Sequence, residues 1–303
     1  MNGGVIAAGR REAASTAGLE RAPLERRALV SLLLTVGVWV AAILAAIPLV
    51  SVLYMLIVRG GARLSASVFV ELPPAGFEMG GGFGNALVGT VVMVGLAGLL
   101  SIPVGVLAAV YLAELGPGSR LAQIARFATK TLTGFPSILA GVFAYAVVVL
   151  TTGTYSAPAG ALALALLMLP TVVLTAEEAV KAVPKITRDA AYGMGCTRSQ
   201  VIWKVLLPTA MPGIITGVML AVARAAGETA PLLFTALFSN FWLFEGGRPR
   251  LMQPTASLAV LIYNFAGMPF ENQIELAWTA SLVLVLLVLV VNVVSRLVGQ
   301  RRV

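Results

Sequence analysis

The chain has 303 residues, of which 59% are hydrophobic and only 11% are charged. A soluble globular domain carries roughly 25% charged residues. The uncharged runs of this chain are also long enough to cross a hydrocarbon core about 30 Å thick. The composition therefore predicts an all-α membrane protein rather than a soluble domain.

Several classes of chemistry are excluded by residue type. Histidine is absent and Cys196 is the only cysteine. These absences rule out histidine-dependent catalytic triads, most zinc sites and intrachain disulfides. The sequence also lacks the G-x-x-x-x-G-K-S/T loop that cradles nucleotide phosphates. We therefore expect no catalytic site, no metal and no ATP hydrolysis by this chain alone.

The first two transmembrane spans follow from the positions of the charges. No charged residue lies between Arg27 and Arg59, so a helix over 28–58 is predicted after a basic tail, residues 1–27. This run is too long for the core of a signal peptide, about 7–15 residues. A second helix is predicted to begin near Asn85 and to bend at Pro103.

The remaining charge-free runs predict four further spans. The stretch from Lys130 to Glu177 would make about 69 Å of helix, more than twice a bilayer core, so it must form two spans. Its turn is placed within 151–158, which is rich in Thr, Ser, Gly and Pro. A fifth span is predicted from about Pro212 to Phe238 and a sixth from about Ile274 to Leu297, before a short tail, residues 299–303.

The basic residues fall mostly on one face of this six-span arrangement. That face carries Arg10, Arg11, Arg21, Arg26, Arg27, Arg120, Arg126, Lys130, Lys181, Lys185, Arg188, Arg198, Lys204, Arg296, Arg301 and Arg302. The other face carries Arg59, Arg63, Arg248 and Arg250. By the positive-inside rule both termini are predicted to be cytoplasmic, and the net charge of +8 reflects membrane sidedness rather than nucleic-acid binding.

A cytoplasmic loop over about 176–212 joins spans four and five. We expect a short helix over Thr187–Tyr192 and a left-handed turn at Gly193 and Gly195. A capping box is expected at Thr197–Gln200, opening a second helix that Pro208 ends. Taken by its pattern alone, such a loop either lies on the membrane surface or projects as a compact knob.

A spaced motif in this loop resembles the coupling loop of ABC importer permeases. Asp189, Ala190 and Ala191 are followed by three residues, Gly195, nine residues and Val205-Leu206-Leu207-Pro208. The family pattern is E-A-A, x3, G, x9, I-x-L-P, so Asp189 and Val205 are conservative departures. The resemblance implies that Asp189, Ala190, Ala191, Gly195, Leu207 and Pro208 couple the chain to a separate ATPase subunit by a helix-in-groove contact.

The fifth span carries an ion pair and a ridge of small residues. Arg224 and Glu228 are four residues apart, and ionisable residues at membrane depth are functional by default. The ridge, which lets another helix approach closely, consists of Gly213, Gly217, Ala221, Ala225 and Thr229. Arg224 can offer a planar donor fork to phosphate oxygens, but the same pair can serve instead as a structural lock between helices.

Two segments are similar to the PstA family of phosphate permeases. They are Arg224–Ala236, which contains Gly-Glu-Thr-Ala-Pro-Leu-Leu-Phe, and Thr133–Ile138. The resemblance spans about 85–297. It implies a six-helix membrane protein of the type I ABC importer fold (MetI-like), with residues 85–298 as the permease core after the first transmembrane helix. It implies a substrate pathway that includes Arg224, Glu228 and Thr229.

The resemblance further implies transport of inorganic phosphate across the bacterial cytoplasmic (inner) membrane. The expected partners are a homologous permease PstC, two copies of the ATPase PstB and the external binding protein PstS. ATP and Mg²⁺ would bind PstB, and no cofactor is expected in this chain. The alternatives are an ABC permease for another oxyanion such as sulfate, molybdate or phosphonate, and an ion-driven secondary transporter, which would show internal repeats with paired broken helices.

Overall fold

The computed structural model describes residues 26–300, without the side chains of 26–28, 295, 296 and 298–300. The predicted tails, 1–27 and 299–303, therefore lie largely outside the described residues. The chain divides into two compact units, Met1–Met55 and Leu56–Val303. In the first unit the described element is helix α1, Arg26–Met55.

The second unit is almost entirely helical. After a π-helical turn Leu56–Gly60 and a 3-10 turn Ser67–Phe69, its elements in order are α2 Gly84–Leu115, α3 Arg120–Thr133, α4 Ser137–Thr152, α5 Ala157–Lys181, α6 Lys185–Gly193, α7 Arg198–Ala226, α8 Ala230–Thr235, β1 Phe244–Glu245, β2 Arg248–Pro249, α9 Leu258–Ala266 and α10 Glu271–Gln300. The two short strands pair antiparallel, with Phe244 opposite Pro249.

Among the described residues, five helices are long and apolar enough to cross a membrane. They are Leu29–Gly60, Gly84–Leu115, Ala157–Lys181, Arg198–Ala226 and Glu271–Val294. A sixth span exists if α3 and α4, which meet at 108°, are counted as one. The predicted all-α membrane fold is confirmed, and the predicted turn between spans three and four falls between Thr152 and Ala157.

The third span, α4, begins at Ser137, within the Thr133–Ile138 segment that the sequence places at its opening. Helix α3 runs on to Thr133, and the chain turns sharply before α4 starts at Ser137. Pro136 disfavours the α-helical conformation of the residue before it, which explains the turn. Helix α3 interleaves Arg120, Arg126 and Lys130 with apolar and other polar residues, so it is an amphipathic helix rather than the start of a span.

The predicted limits of the fifth span were wrong at both ends. Helix α7 begins at Arg198 and continues through Pro208 and Pro212, because a widened π-helical turn, Val201–Leu206, precedes the prolines. It stops at Ala226, and the separate helix α8 starts at Ala230. Pro208 therefore does not end a helix, and Arg224 and Glu228 do not share one.

Serine side chains fix where three helices begin. Ser119 accepts a hydrogen bond from the amide of Ala122 at the start of α3, and Ser156 and Ser257 do the same at the starts of α5 and α9. Such caps satisfy one of the backbone donors that a helix leaves unpaired at its first turn.

Helix α5 lies at the centre of the unit, packed against α2 and α7. The small residues of α7 form this contact, since a Cβ on Gly217 would lie 2.0 Å from Thr175 Oγ1 and one on Gly213 would lie 2.8 Å from the Ala179 Cβ. Ala221 and Ala225 on the same ridge are each 1% exposed. The ridge thus packs against α5 of the same chain. Small residues let membrane helices approach one another this closely.

The second unit has two chemically different ends. At the end that we call the basic end, formed by residues 112–117, 177–181 and 185–198, four basic side chains gather around helix termini. At the opposite end, residues 84–90 contact the segment 237–258. There Asn85 Nδ2 donates to Ser239 O at 2.8 Å, and the amide of Leu258 donates to Thr90 Oγ1 at 2.9 Å.

Candidate functional site

The first candidate site is the break between α7 and α8. Arg224 lies in the last turn of α7, and its Nε is 3.4 Å from Oε1 of Glu228, two residues beyond the helix end. The Arg224 side chain is 49% exposed and that of Glu228 is 19% exposed. A 3.4 Å separation is longer than a well-formed N–H···O bond, so the carboxylate holds the guanidinium only loosely.

The break is stabilised by close packing of its flanks. Thr229 is the N-cap of α8, and its carbonyl accepts from the amides of Leu232 and Leu233. Gly141 on α4 lies so close to Pro231 that an added Cβ would be 2.7 Å from the proline Cα. Non-helical backbone at membrane depth is tolerated where it is buried in protein or lines a cavity, and this break is buried on the α4 side.

This arrangement is chemically suited to an anion. The guanidinium has five N–H donors in a planar fork, and the contact with Glu228 occupies few of them. The half-exposed fork can therefore bind a tetrahedral oxyanion in two-point fashion, while the carboxylate fixes the side chain between binding events. Thr229 directly follows Glu228 in the sequence and is half-buried.

The second candidate site is the coupling loop, residues 182–197 between α5 and α7. Helix α6 places Asp189 and Ala190 on its exposed side and buries Ala191, which is 2% exposed. The chain then turns at Gly195, whose φ is +82°, with the amide of Cys196 donating to Ala191 O at 3.1 Å. The left-handed turn predicted at Gly195 is present. Gly193 instead ends α6 with a negative φ, so the expectation for that residue was wrong.

The predicted capping box at the start of α7 is confirmed. The amide of Gln200 donates to Thr197 Oγ1 at 3.4 Å, and the amide of Thr197 donates to Gln200 Oε1 at 2.8 Å. Leu207 is 6% exposed and Pro208 is exposed, both inside α7. Of the residues that the motif places in the coupling role, Ala191 and Leu207 therefore pack inside this chain, while Asp189, Ala190, Gly195 and Pro208 are accessible.

The coupling loop and the first turns of α7 also present apolar side chains that the motif did not single out. Ile186 is 77% exposed, Met194 is 78% exposed and Trp203 is 59% exposed. Exposed apolar side chains close to one another are typical of a protein interaction site. The signal was present in the sequence, because all three lie within the polar, basic stretch 176–212.

A buried carboxylate at the basic end was missed by sequence reasoning. Glu177 is 4% exposed, and its Oε1 accepts from Arg126 Nε at 2.8 Å and from Lys181 Nζ at 2.5 Å. Its position at the end of a long uncharged run marks the point where α5 leaves the apolar region. Within residues 26–300 no group of three or more acidic or cysteine side chains is placed to hold a metal ion.

Residues 101–303 match the family described as binding-protein-dependent transport system inner membrane component. The chain is 43% identical to the phosphate transport system permease protein PstA of Haemophilus influenzae over 83% of its own length and 87% of that protein. It is 39% identical to the protein of that name from Yersinia pestis, over 84% of each chain. The chain belongs to the PstA family of binding-protein-dependent permeases.

The likeness extends to an archaeal relative and to solved structures. A probable PstA of Methanocaldococcus jannaschii is 40% identical over 71% of this chain. The fold resembles an inward-facing MetNI methionine ABC transporter structure, with a TM-score of 0.57 and 21% identity over 72% of this chain and 93% of that one. As a member of this family, the permease is a multi-pass membrane component of an ABC transport system, not an enzyme by itself.

The geometry of the Gly195 turn yields a test of the coupling loop. Gly195→Val forces a β-branched residue into the left-handed region, although open space surrounds the site. We expect the substitution to distort the loop and to lower co-purification of the ATPase subunit with the permease by about tenfold. The backbone cost of 1–3 kcal/mol for such strained residues corresponds to a change of this size.

Gly193→Ala is the matched control, because Gly193 has equal space around it and a negative φ. It should leave ATPase recovery unchanged. Equal recovery of the ATPase with both variants would show that the turn is not needed for docking.

Proposed function

We propose that this permease translocates inorganic phosphate through the membrane as one subunit of an ABC importer. The observation that carries the proposal is the loosely held guanidinium of Arg224 at the break between α7 and α8. It places a half-exposed cation with a donor fork at the end of an apolar span. The PstA name of the relatives supports phosphate as the anion, and their identity of 43% over most of the chain includes this segment.

The proposed assembly pairs this chain with PstC, so that the break in α7 faces the corresponding surface of the second permease. Two PstB subunits would bind ATP and Mg²⁺ and contact the exposed side of α6. PstS would deliver phosphate from outside. The exposed apolar surface formed by Ile186, Met194 and Trp203 supports a protein partner at the basic end.

Two alternatives remain to be tested against phosphate transport. Another oxyanion would use the same Arg224 fork, since sulfate and molybdate are also tetrahedral. An ion-driven transporter would share the broken helix, but the family membership of the chain favours coupling to an ATPase. The alternative that Arg224 and Glu228 only lock helices together fits poorly with the exposure of the Arg224 side chain and with the long contact to Glu228.

The pathway role predicts that Arg224→Gln lowers phosphate uptake about 10- to 100-fold while the complex still assembles. Glutamine keeps hydrogen-bonding capacity but loses the charge-assisted part of the contact, about 1.5–3 kcal/mol. Uptake of labelled phosphate is measured in membrane vesicles and divided by the recovered complex. Arg120→Gln, on the exposed face of α3, is the control and should transport normally.

Glu228→Gln should retain more uptake than Glu228→Leu, because an amide oxygen still accepts from Arg224. If Arg224→Gln lowers uptake only in proportion to the complex lost, the pair is a structural lock and the pathway role fails. If uptake of sulfate rather than phosphate depends on Arg224, the proposed oxyanion site is correct but phosphate is not its substrate.

We further propose that the basic end faces the cytoplasm and that both termini lie there, because Arg126, Lys181, Arg188 and Arg198 gather at that end. A reporter enzyme active only outside the cytoplasm should be silent after Val303 and active when inserted at Gly247, in the turn between β1 and β2. The reverse pattern would overturn this orientation.

A further inference from the structure

The carboxyl end of α2 is an unusual feature of the basic end. The helix finishes in a widened turn, Tyr111–Leu115, and stops at Gly116. The last four carbonyls of a helix have no partner within it, and this end of the helix dipole is negative. These carbonyls must therefore be satisfied by other parts of the molecule.

Arginines from three separate elements bind this helix end. Arg126 of α3 donates from Nη2 to Leu112 O at 2.5 Å and from Nη1 to Pro117 O at 2.8 Å. Arg198, the first residue of α7, donates from Nη2 to Leu115 O at 3.1 Å and also to the carbonyl of Glu114. Planar guanidinium groups suit this role because one side chain can bind two carbonyls.

Arg188 of α6 adds a contact through a side chain. Its Nη1 is 3.0 Å from Oε1 of Glu114, and its Nη2 donates to Val180 O at 2.8 Å. Arg188 thus joins the coupling helix to the ends of both α2 and α5. Because Arg188 and Arg198 lie on the two sides of the Gly195 turn, both arms of the coupling loop bind the same end of α2.

The Arg188–Glu114 ion pair is largely shielded from water, whereas the contacts of Arg198 are exposed. The Arg188 side chain is 20% exposed and that of Glu114 is 13% exposed. Ion pairs with little solvent access resist separation, since each charge loses its partner without regaining full hydration. A displacement of the coupling loop is therefore expected to carry the end of α2 with it.

The amino end of α2 is fixed just as closely at the opposite end of the unit. Asn85 Nδ2 donates to Ser239 O and Phe241 O, at 2.8 and 3.3 Å. At Gly89 an added Cβ would lie 2.0 Å from Ala256 O, so the helix and the segment 237–258 are in direct backbone contact. One helix thus touches the coupling loop at one end and this non-helical segment at the other.

We propose that α2 is a lever that transmits movement of the coupling loop to the segment 237–258 at the opposite end. Arg188, Arg198 and Glu114 are the positioning residues that join the loop to the lever. They touch neither substrate nor nucleotide, and they act through α2. The proposal rests on the proposed function, in which the ATPase moves the coupling loop.

The test uses the complete complex reconstituted in proteoliposomes, with Cys196→Ser as the parent and Phe241→Cys added as a reporter. Phe241 is 75% exposed and its carbonyl accepts from Asn85, so a thiol there reports on the segment moved by α2. The rate of labelling by a membrane-impermeant maleimide is compared with and without ATP. ATP hydrolysis is measured on the same sample.

In the parent we expect ATP to change the labelling rate several-fold. Arg188→Gln keeps a donor near Val180 O but removes the charge facing Glu114. This variant should hydrolyse ATP within about twofold of the parent, while the ATP-dependent change in labelling and the phosphate transported per ATP fall about tenfold. Glu114→Gln should do the same, and the double variant should be no worse than the more affected single variant.

Arg120→Gln is the control, since Arg120 is exposed on α3, outside the coupling loop and the α6 surface proposed to contact PstB. It should retain both the labelling response and the transport ratio. An ATP-dependent change in labelling that persists in Arg188→Gln would overturn the lever. It would also be overturned if Arg188→Gln lowers ATP hydrolysis and the labelling response by the same factor. A parent with no labelling response at all would also contradict it. A normal labelling response without phosphate uptake would leave the lever standing and refute phosphate as the substrate.

Discussion

The structure depends on one constraint, which is that a membrane-spanning helix must satisfy its backbone polar groups without water. Residues inside a helix do this through the helix's own hydrogen bonds, so the backbone groups left unpaired are those at the helix termini. At the basic end, Arg126 and Arg198 donate to carbonyls at the end of α2, and Arg188 donates to Val180 O at the end of α5, while Glu177 accepts from Arg126 and Lys181. Two of these cations, Arg188 and Arg198, also attach the coupling loop to the end of α2.

The break between α7 and α8 is an exception to this pattern, because it interrupts a membrane-spanning helix. The hypothesis that Arg224 contacts the substrate rests on this break. Helix interruption exposes backbone that a continuous span would have paired, and here the amides of Gly227 and Glu228 donate back to Arg224 O and Ala225 O at 3.1 and 3.3 Å, while Pro231 packs closely against Gly141 on one side. On the other side Arg224 remains half-exposed. A charged, incompletely held side chain beside interrupted backbone is typical of a transport pathway rather than of a structural brace.

Sequence reasoning predicted the fold and the motif positions well, because charge-free runs and motif spacing are local properties. The Thr197–Gln200 capping box and the Gly195 turn follow from residue type alone. The limits of the fifth span did not, since a proline inside a helix is tolerated once a preceding π-helical turn makes room, as before Pro208. The Glu114–Arg188 contact joins residues far apart in sequence and no local pattern could reveal it.

If ATP binding and hydrolysis by a partner subunit drive phosphate through this chain, proteoliposomes holding the complete complex should take up labelled phosphate against its gradient. Uptake is measured with ATP supplied or withheld on the PstB side and with ion gradients dissipated by ionophores. We expect concentrative uptake that requires ATP and survives the ionophores. Uptake that persists without ATP and collapses with the ion gradients would contradict it.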